Sequence, residues 1–192
     1  AHKKLLEARR ATYRQQVHPH ESALAKDLDR KLGLQPGRLP APVFMVTESP
    51  VPDVHAALPE GAELNAIATN GANDTELIEE AMHALIYSLE SQLRGTGTIF
   101  DDLKRELRAG GVDEGTTPNV AAVVKLSVYA EGAELVRANL APSYAPIGLA
   151  SGTYNAMQPL SGIVLPAWKR YDLGEIGRAE LVTAIVSRVA PM

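Results

Sequence analysis

Cysteine is absent from this 192-residue chain, which excludes disulfides, thiolate metal sites and a cysteine nucleophile. Aromatic residues are scarce: two Phe, one Trp and six Tyr. The core must therefore be assembled from Leu, Val, Ile and Ala, a palette that suits helix packing. No apolar run approaches the roughly 20 residues needed to cross a bilayer. A basic excess is missing too. The formal net charge is −4 and the isoelectric point is near 5.8, which argues against general nucleic-acid binding, since that needs a positive footprint. What is present is 45% apolar residues, enough for a sizeable core and against bulk disorder.

The length fits one domain, or one domain with a helical appendage. Charge is unevenly spread along it. Residues 1–38 hold nine Lys and Arg against four acids, a balance of +5, and the remainder carries −9. This divides the chain into a basic helical N-terminal arm, 1–38, packed on a main helical domain, 39–192. Opposite charges in one chain most simply meet each other, while docking of the arm onto a partner or onto anionic lipid are the other options. The chain starts at Ala rather than Met. A cleaved export signal leaves such a start, and so does trimming, so a cytoplasmic and a periplasmic location both fit.

Local patterns place the elements. Residues 2–17 read as a helix with Leu6, Tyr13 and Val17 on a thin seam, interrupted at His18-Pro19 because the residue before proline is pushed out of the helical region. A second helix runs to Lys31 or Leu32, with Leu24, Leu28 and Leu32 at i, i+4 spacing and Gly33 as its C-cap. "VFMVTE" (43–48) and "AELNAIAT" (62–69) read as strands of one small β element over 43–69, and the connection between them is long enough for a parallel crossover. Asn73 and Glu76 have the spacing of a capping box that opens a helix. In "TIFDDLKRELRAGG", Thr98 is the expected N-cap, Asp101 completes the box, and Ile99, Phe100, Leu103 and Leu107 form the inner face. Thr117-Pro118 reads as a cap and first-turn proline. The following helix is apolar nearly all round in its first half, Lys125 apart, so it should be central and covered. Pro166 is expected to kink or split the helix that carries Trp168, and a short amphipathic helix ends the chain. The expected class is α+β, predominantly helical: a multi-helix core around a central apolar helix (118–140) with one small β element.

The sequence offers one candidate site for chemistry. On a wheel of the helix from Asn73, Leu77, Ile78, Ala81, Met82, Leu85, Ile86, Leu89 and Leu93 share one half. Glu76, Glu79, His83, Tyr87, Glu90 and Arg94 gather on the other. A carboxylate one turn from an imidazole can orient it as a general base near neutral pH, which makes Glu79, His83, Tyr87 and Glu90 the catalytic candidates. Glu80-x-x-His83 matches half of the motif of di-metal carboxylate bundles, so these two are the metal candidates. A second such segment is lacking, and a solvated helix face with i, i+4 pairs explains the same strip. Arg94, ahead of "GTGT", can meet an anion at a helix start. Tyr144 and Tyr154, in a loop rich in Gly, Pro and Ser, are candidates for ligand contact. His18, His20 and Glu21 mark a helix break more simply than a metal site.

"AELNAIATNG" followed by "TELIEEAMHALIYSLES", residues 62–91, resembles the strand, turn and helix of zincin metallopeptidases. The resemblance implies zinc held by a His-Glu-x-x-His helix. Here Ala84 stands at the general-base position and Tyr87 at the second ligand, so zinc cannot be held or its water activated in the usual way. The implied relative is a degenerate one without peptidase activity.

No complete catalytic constellation emerges. The leading expectation is a soluble, non-catalytic ligand- or partner-binding domain of bacterial type, acting on a small molecule or protein. The alternative is a hydrolase or metal-dependent enzyme using the Glu/His strip of 74–94.

Overall fold

The computed structural model describes residues 2–33, 97–115, 118–143 and 158–192, together with short extended main-chain segments at 43–47, 56–57 and 64–68. Helix α1 (His2–Gln16) and helix α2 (Glu21–Leu32) are joined through a single 3-10 turn, His18–His20. Further on come α3 (Ile99–Ala109), α4 (Val120–Asn139), α5 (Gln158–Asp172) and α6 (Arg178–Val189). The expected α+β class is corrected: the protein's interpretable body is α-helical, and among the residues whose side chains are described every regular element is a helix. In the extended segments only main chain is described, with Val43 to Thr47 lying beside Leu64 to Ala68 in parallel register. Among the described residues the apolar cluster of the body is built from the helices and the turns beside them. The physical reason is that strands this short need a helical face to lie on, and the helices already close their core against one another.

Each helix starts where its chemistry dictates. The Thr98 hydroxyl accepts from the Asp101 amide at 3.2 Å, and the Asp101 carboxylate accepts from the Thr98 amide at 3.1 Å, a closed capping box. Behind that cap, Ile99, Phe100, Leu103 and Leu107 are buried as the spacing implied. Asn119, not Thr117, caps α4, its side chain accepting from the Ala122 amide at 2.8 Å. Ahead of α6, the Gly177 amide donates to the Glu180 carboxylate at 2.8 Å. Pro166 does not split α5, which runs unbroken as one helix from Gln158 to Asp172. The packing of α5 between α4 and α6 outweighs the one backbone hydrogen bond a proline removes.

Helix α4 is the axis of the body. Every residue from Leu126 to Ala133 is buried, more than two full turns with no solvent face. Helices α2, α3 and α5 pack on it, α6 packs on α3 and α5, and α2 adds Leu24, Leu28 and Leu32 to the same apolar cluster. Each such leucine contributes roughly 1.5–3 kcal/mol by leaving water. At the centre Trp168 lies 6.1 Å from Phe100, ring centre to ring centre, and 5.6 Å from Tyr171 in an edge-on arrangement.

One polar node ties three chain ends together. The Arg178 guanidinium donates to Asp102 at 2.7 Å and to the Gly97 carbonyl. It also abuts Gly33, where φ is +73° and an added Cβ would lie 2.5 Å from the guanidinium. Glycine is needed there both for the left-handed backbone that ends α2 and for the close approach.

Two stability effects follow from these local features. Thr98→Ala lowers unfolding stability by about 1 kcal/mol, while Thr98→Ser, which keeps the oxygen, stays near wild type in a urea melt. Equal melts for the Ala and Ser variants would show the box to be dispensable. Gly33→Ala lowers stability by more than 1 kcal/mol, because strain adds to the collision with Arg178; an unchanged denaturation midpoint would contradict the node.

Candidate functional site

The residues singled out on the polar strip, Glu79, Glu80, His83, Tyr87, Glu90 and Arg94, lie outside the described residues, as do Tyr144 and Tyr154. The structure therefore brings none of them together or apart. His18 is exposed and His20 half-buried in their 3-10 turn. Among the described residues no group of three His, Asp or Glu is placed to hold a metal ion.

A different set of groups, which sequence reasoning missed, meets at the junction of α2, α4 and α5. Glu131, on the second half of α4, is fully buried, and neither of its carboxylate oxygens has a hydrogen-bond partner among the described residues. One turn earlier on the same helix, the Ser127 hydroxyl is equally buried and unpartnered, and so is the Trp168 indole nitrogen on α5. Beside them the polar groups of α2 and α5 are satisfied. Lys31 pairs with Asp172, both nearly buried, and the Tyr171 hydroxyl donates to the Lys31 carbonyl. The Asn139 side-chain amide donates to Asp27 at 3.2 Å and to the Leu135 carbonyl at 3.1 Å.

Burial dominates the electrostatics of Glu131. Loss of water pushes its carboxyl from an ordinary 4.5 up to about 7, against the opposing pull of the Lys31 charge; Asp27 and Glu134 push the same way as burial. Burial also raises the Tyr171 phenol above its usual range, with the Glu131 charge adding to it. A carboxylic acid that is half-ionised near neutral pH in a dry junction is a proton-binding group in its own right. The sequence signal was partial: "SVYAEGAELV", in a helix that must be covered on most sides, contains two glutamates, Glu131 and Glu134, and nothing local tells which one is buried.

On its other flank α4 shares a groove with α5. The groove holds about 320 Å³. Ala130 and Ala133 form its floor, and Trp168, itself without exposed surface, backs it. Leu165 and Pro166 make the far wall, and Glu134, Arg137 and Lys169 stand on the rim. Glu134 and Arg137 pair with each other. A second groove of about 390 Å³ lies between α3 and α6, but its charged wall is internally paired, Arg105 with Asp102 at 2.9 Å and with Glu106 at 2.9 Å.

Comparison with known family models, with curated proteins and with solved structures finds no match for this chain.

The raised carboxyl of Glu131 has a definite consequence for pH dependence. The folded chain binds the Glu131 proton more tightly than the unfolded chain does. Its stabilising contribution is therefore complete below about pH 4.5 and is lost as pH rises to about 7, an effect of about 3 kcal/mol. Chemical denaturation across this window should show wild-type stability falling relative to Glu131→Gln, which has no proton to lose. Parallel curves for the two proteins would mean that Glu131 is hydrated.

Proposed function

We propose that the chain is a non-catalytic binding domain of bacterial type whose ligand or partner segment occupies the groove between α4 and α5. The groove itself carries this reading. It has the size of a small-molecule site, a floor of small residues that lets a ligand approach the helix backbone, an aromatic back wall, and a few charged groups confined to its rim. Ligand pockets are predominantly apolar with few, placed polar groups, and volumes of roughly 300 Å³ and above suffice for a small molecule. The Lys169 ammonium at the rim favours an occupant with an anionic group at one end and an apolar body at the other.

The lone Trp168 behind the groove gives a direct readout. A screen of small amphipathic acids, followed by indole fluorescence and by melting temperature, should find a compound that changes both. At a hundredfold excess over Kd it adds about 2.7 kcal/mol of stability, or roughly 5–10 °C for a chain of this length. Lys169→Glu, on the exposed rim, should weaken that binding at least tenfold without lowering the melting temperature of the free protein. Absence of any stabilising compound or partner would count against the reading. A stoichiometric transition metal in the purified protein, lost in His83→Ala, would favour the metal-dependent enzyme instead.

A further inference from the structure

Glu131 lies beneath α2. Among the described residues, the charged groups that act on it are Lys31, Asp27 and Arg30 from α2 and Glu134 from its own helix. From α5, the Tyr171 phenol feels its charge, and Asp172 holds the Lys31 ammonium. Helix α2 is thus the cover that keeps water from the carboxyl group, and it also carries the lysine that faces it. That lysine is engaged by Asp172, and neither Glu131 oxygen accepts a hydrogen bond. The docked state accommodates a neutral Glu131 and offers an ionised one no direct partner. A buried charge in that position is relieved by admitting water.

We propose that the α1–α2 segment is a pH-released cover: ionisation of Glu131 lifts α2 from α4 and α5, and protonation seats it again. Of the helices around Glu131, α2 is the one built to move. Among the described residues its apolar attachment is the seam of Leu24, Leu28 and Leu32, together with Val17 at the end of α1, and α1 also touches the extended segment Val43–Thr47. Its polar attachments are the Lys31–Asp172 pair, the Asn139–Asp27 hydrogen bond and the Tyr171 hydroxyl on the Lys31 carbonyl. It ends at Gly33, where the left-handed backbone turns the chain beside Arg178. Helix α5 is not free to move in this way, because Leu160, Ile163, Val164, Ala167 and Trp168 are all in the core and it packs on both α4 and α6. Lifting α2 hydrates Glu131 without opening the aromatic centre. Between mildly acid and mildly alkaline pH the equilibrium constant for lifting rises by up to tenfold per pH unit, and by about a hundredfold from pH 5 to pH 8.

Hydrogen exchange read by mass spectrometry on the full chain tests this. Wild type and Glu131→Gln are compared at equal pH from 5 to 8, so that the intrinsic pH dependence of amide exchange cancels. The α2 amides of wild type should lose protection relative to the Gln variant by about a hundredfold across that range, and at pH 8 they should be less protected than those of α3 and α6, which open only with the whole chain. A constant ratio in α2 overturns the proposal, and so does α2 protection equal to that of α3 and α6 at every pH, which would be whole-chain unfolding. Because the chain has no other thiol, Leu28→Cys in the otherwise native protein gives a second reading that does not depend on the Gln variant folding. Its labelling rate, corrected for thiolate fraction, should rise by the same factor between pH 5 and pH 8. A corrected rate that does not change with pH overturns the proposal as well.

Discussion

The structure depends on a helix that has nowhere to face water. Over Leu126 to Ala133 all sides of α4 are covered, so any residue placed there is desolvated whatever its chemistry. For Val128 or Leu126 this is stabilising by the ordinary transfer of apolar surface. For Glu131 and Ser127 it is a cost that neither a hydrogen bond nor an ion pair offsets. The body is therefore stable because of α4 and, at one turn of α4, stable in spite of it.

The polar groups around that turn divide into two kinds. Lys31, Asp172, Tyr171, Asn139 and Asp27 satisfy one another and fasten α2 to α4 and α5. Glu131, Ser127 and Trp168 Nε1 remain without partners a few residues away. Buried unpartnered polar atoms are uncommon in folded proteins, and each calls for a physical explanation such as stored strain, a catalytic role, or a bound water or ion. The contrast within one junction is what gives Glu131 its raised affinity for a proton. It also puts the one pH-responsive group of the described core directly under the helix with the lightest attachment. Trp168 also lines the groove between α4 and α5.

Several elements were legible in advance because their cause is local. The Thr98–Asp101 box, the i, i+4 leucines of α2, the break at His18-Pro19 and the glycine that ends α2 each depend on residues within a turn or two of one another. The corrections share the opposite property. Pro166 reads as a helix breaker until α5 is seen held on both sides. "VFMVTE" reads as part of a β element of the fold until the helices are seen to close the core themselves. Thr117 reads as a cap until Asn119 is found to supply the oxygen. The candidate site fared differently. The Glu/His strip centred on His83 stands out by residue type and lies outside the described residues, whereas Glu131 reads in the sequence as one acid in a long helix.

The sequence by itself determined the helical elements among the described residues, most of their boundaries, and the identity of the central helix, because capping and periodicity act between near neighbours and need no partner. It also determined that no thiol chemistry is available. Only the tertiary structure decided which polar residue loses its water. Glu131 and Glu134 stand three positions apart on the same helix with the same side chain, yet one pairs with Arg137 at the groove rim and the other is sealed beneath α2. Desolvation is set by what other segments lie on top of a residue, and that cannot be read from the residue or from its neighbours in the chain.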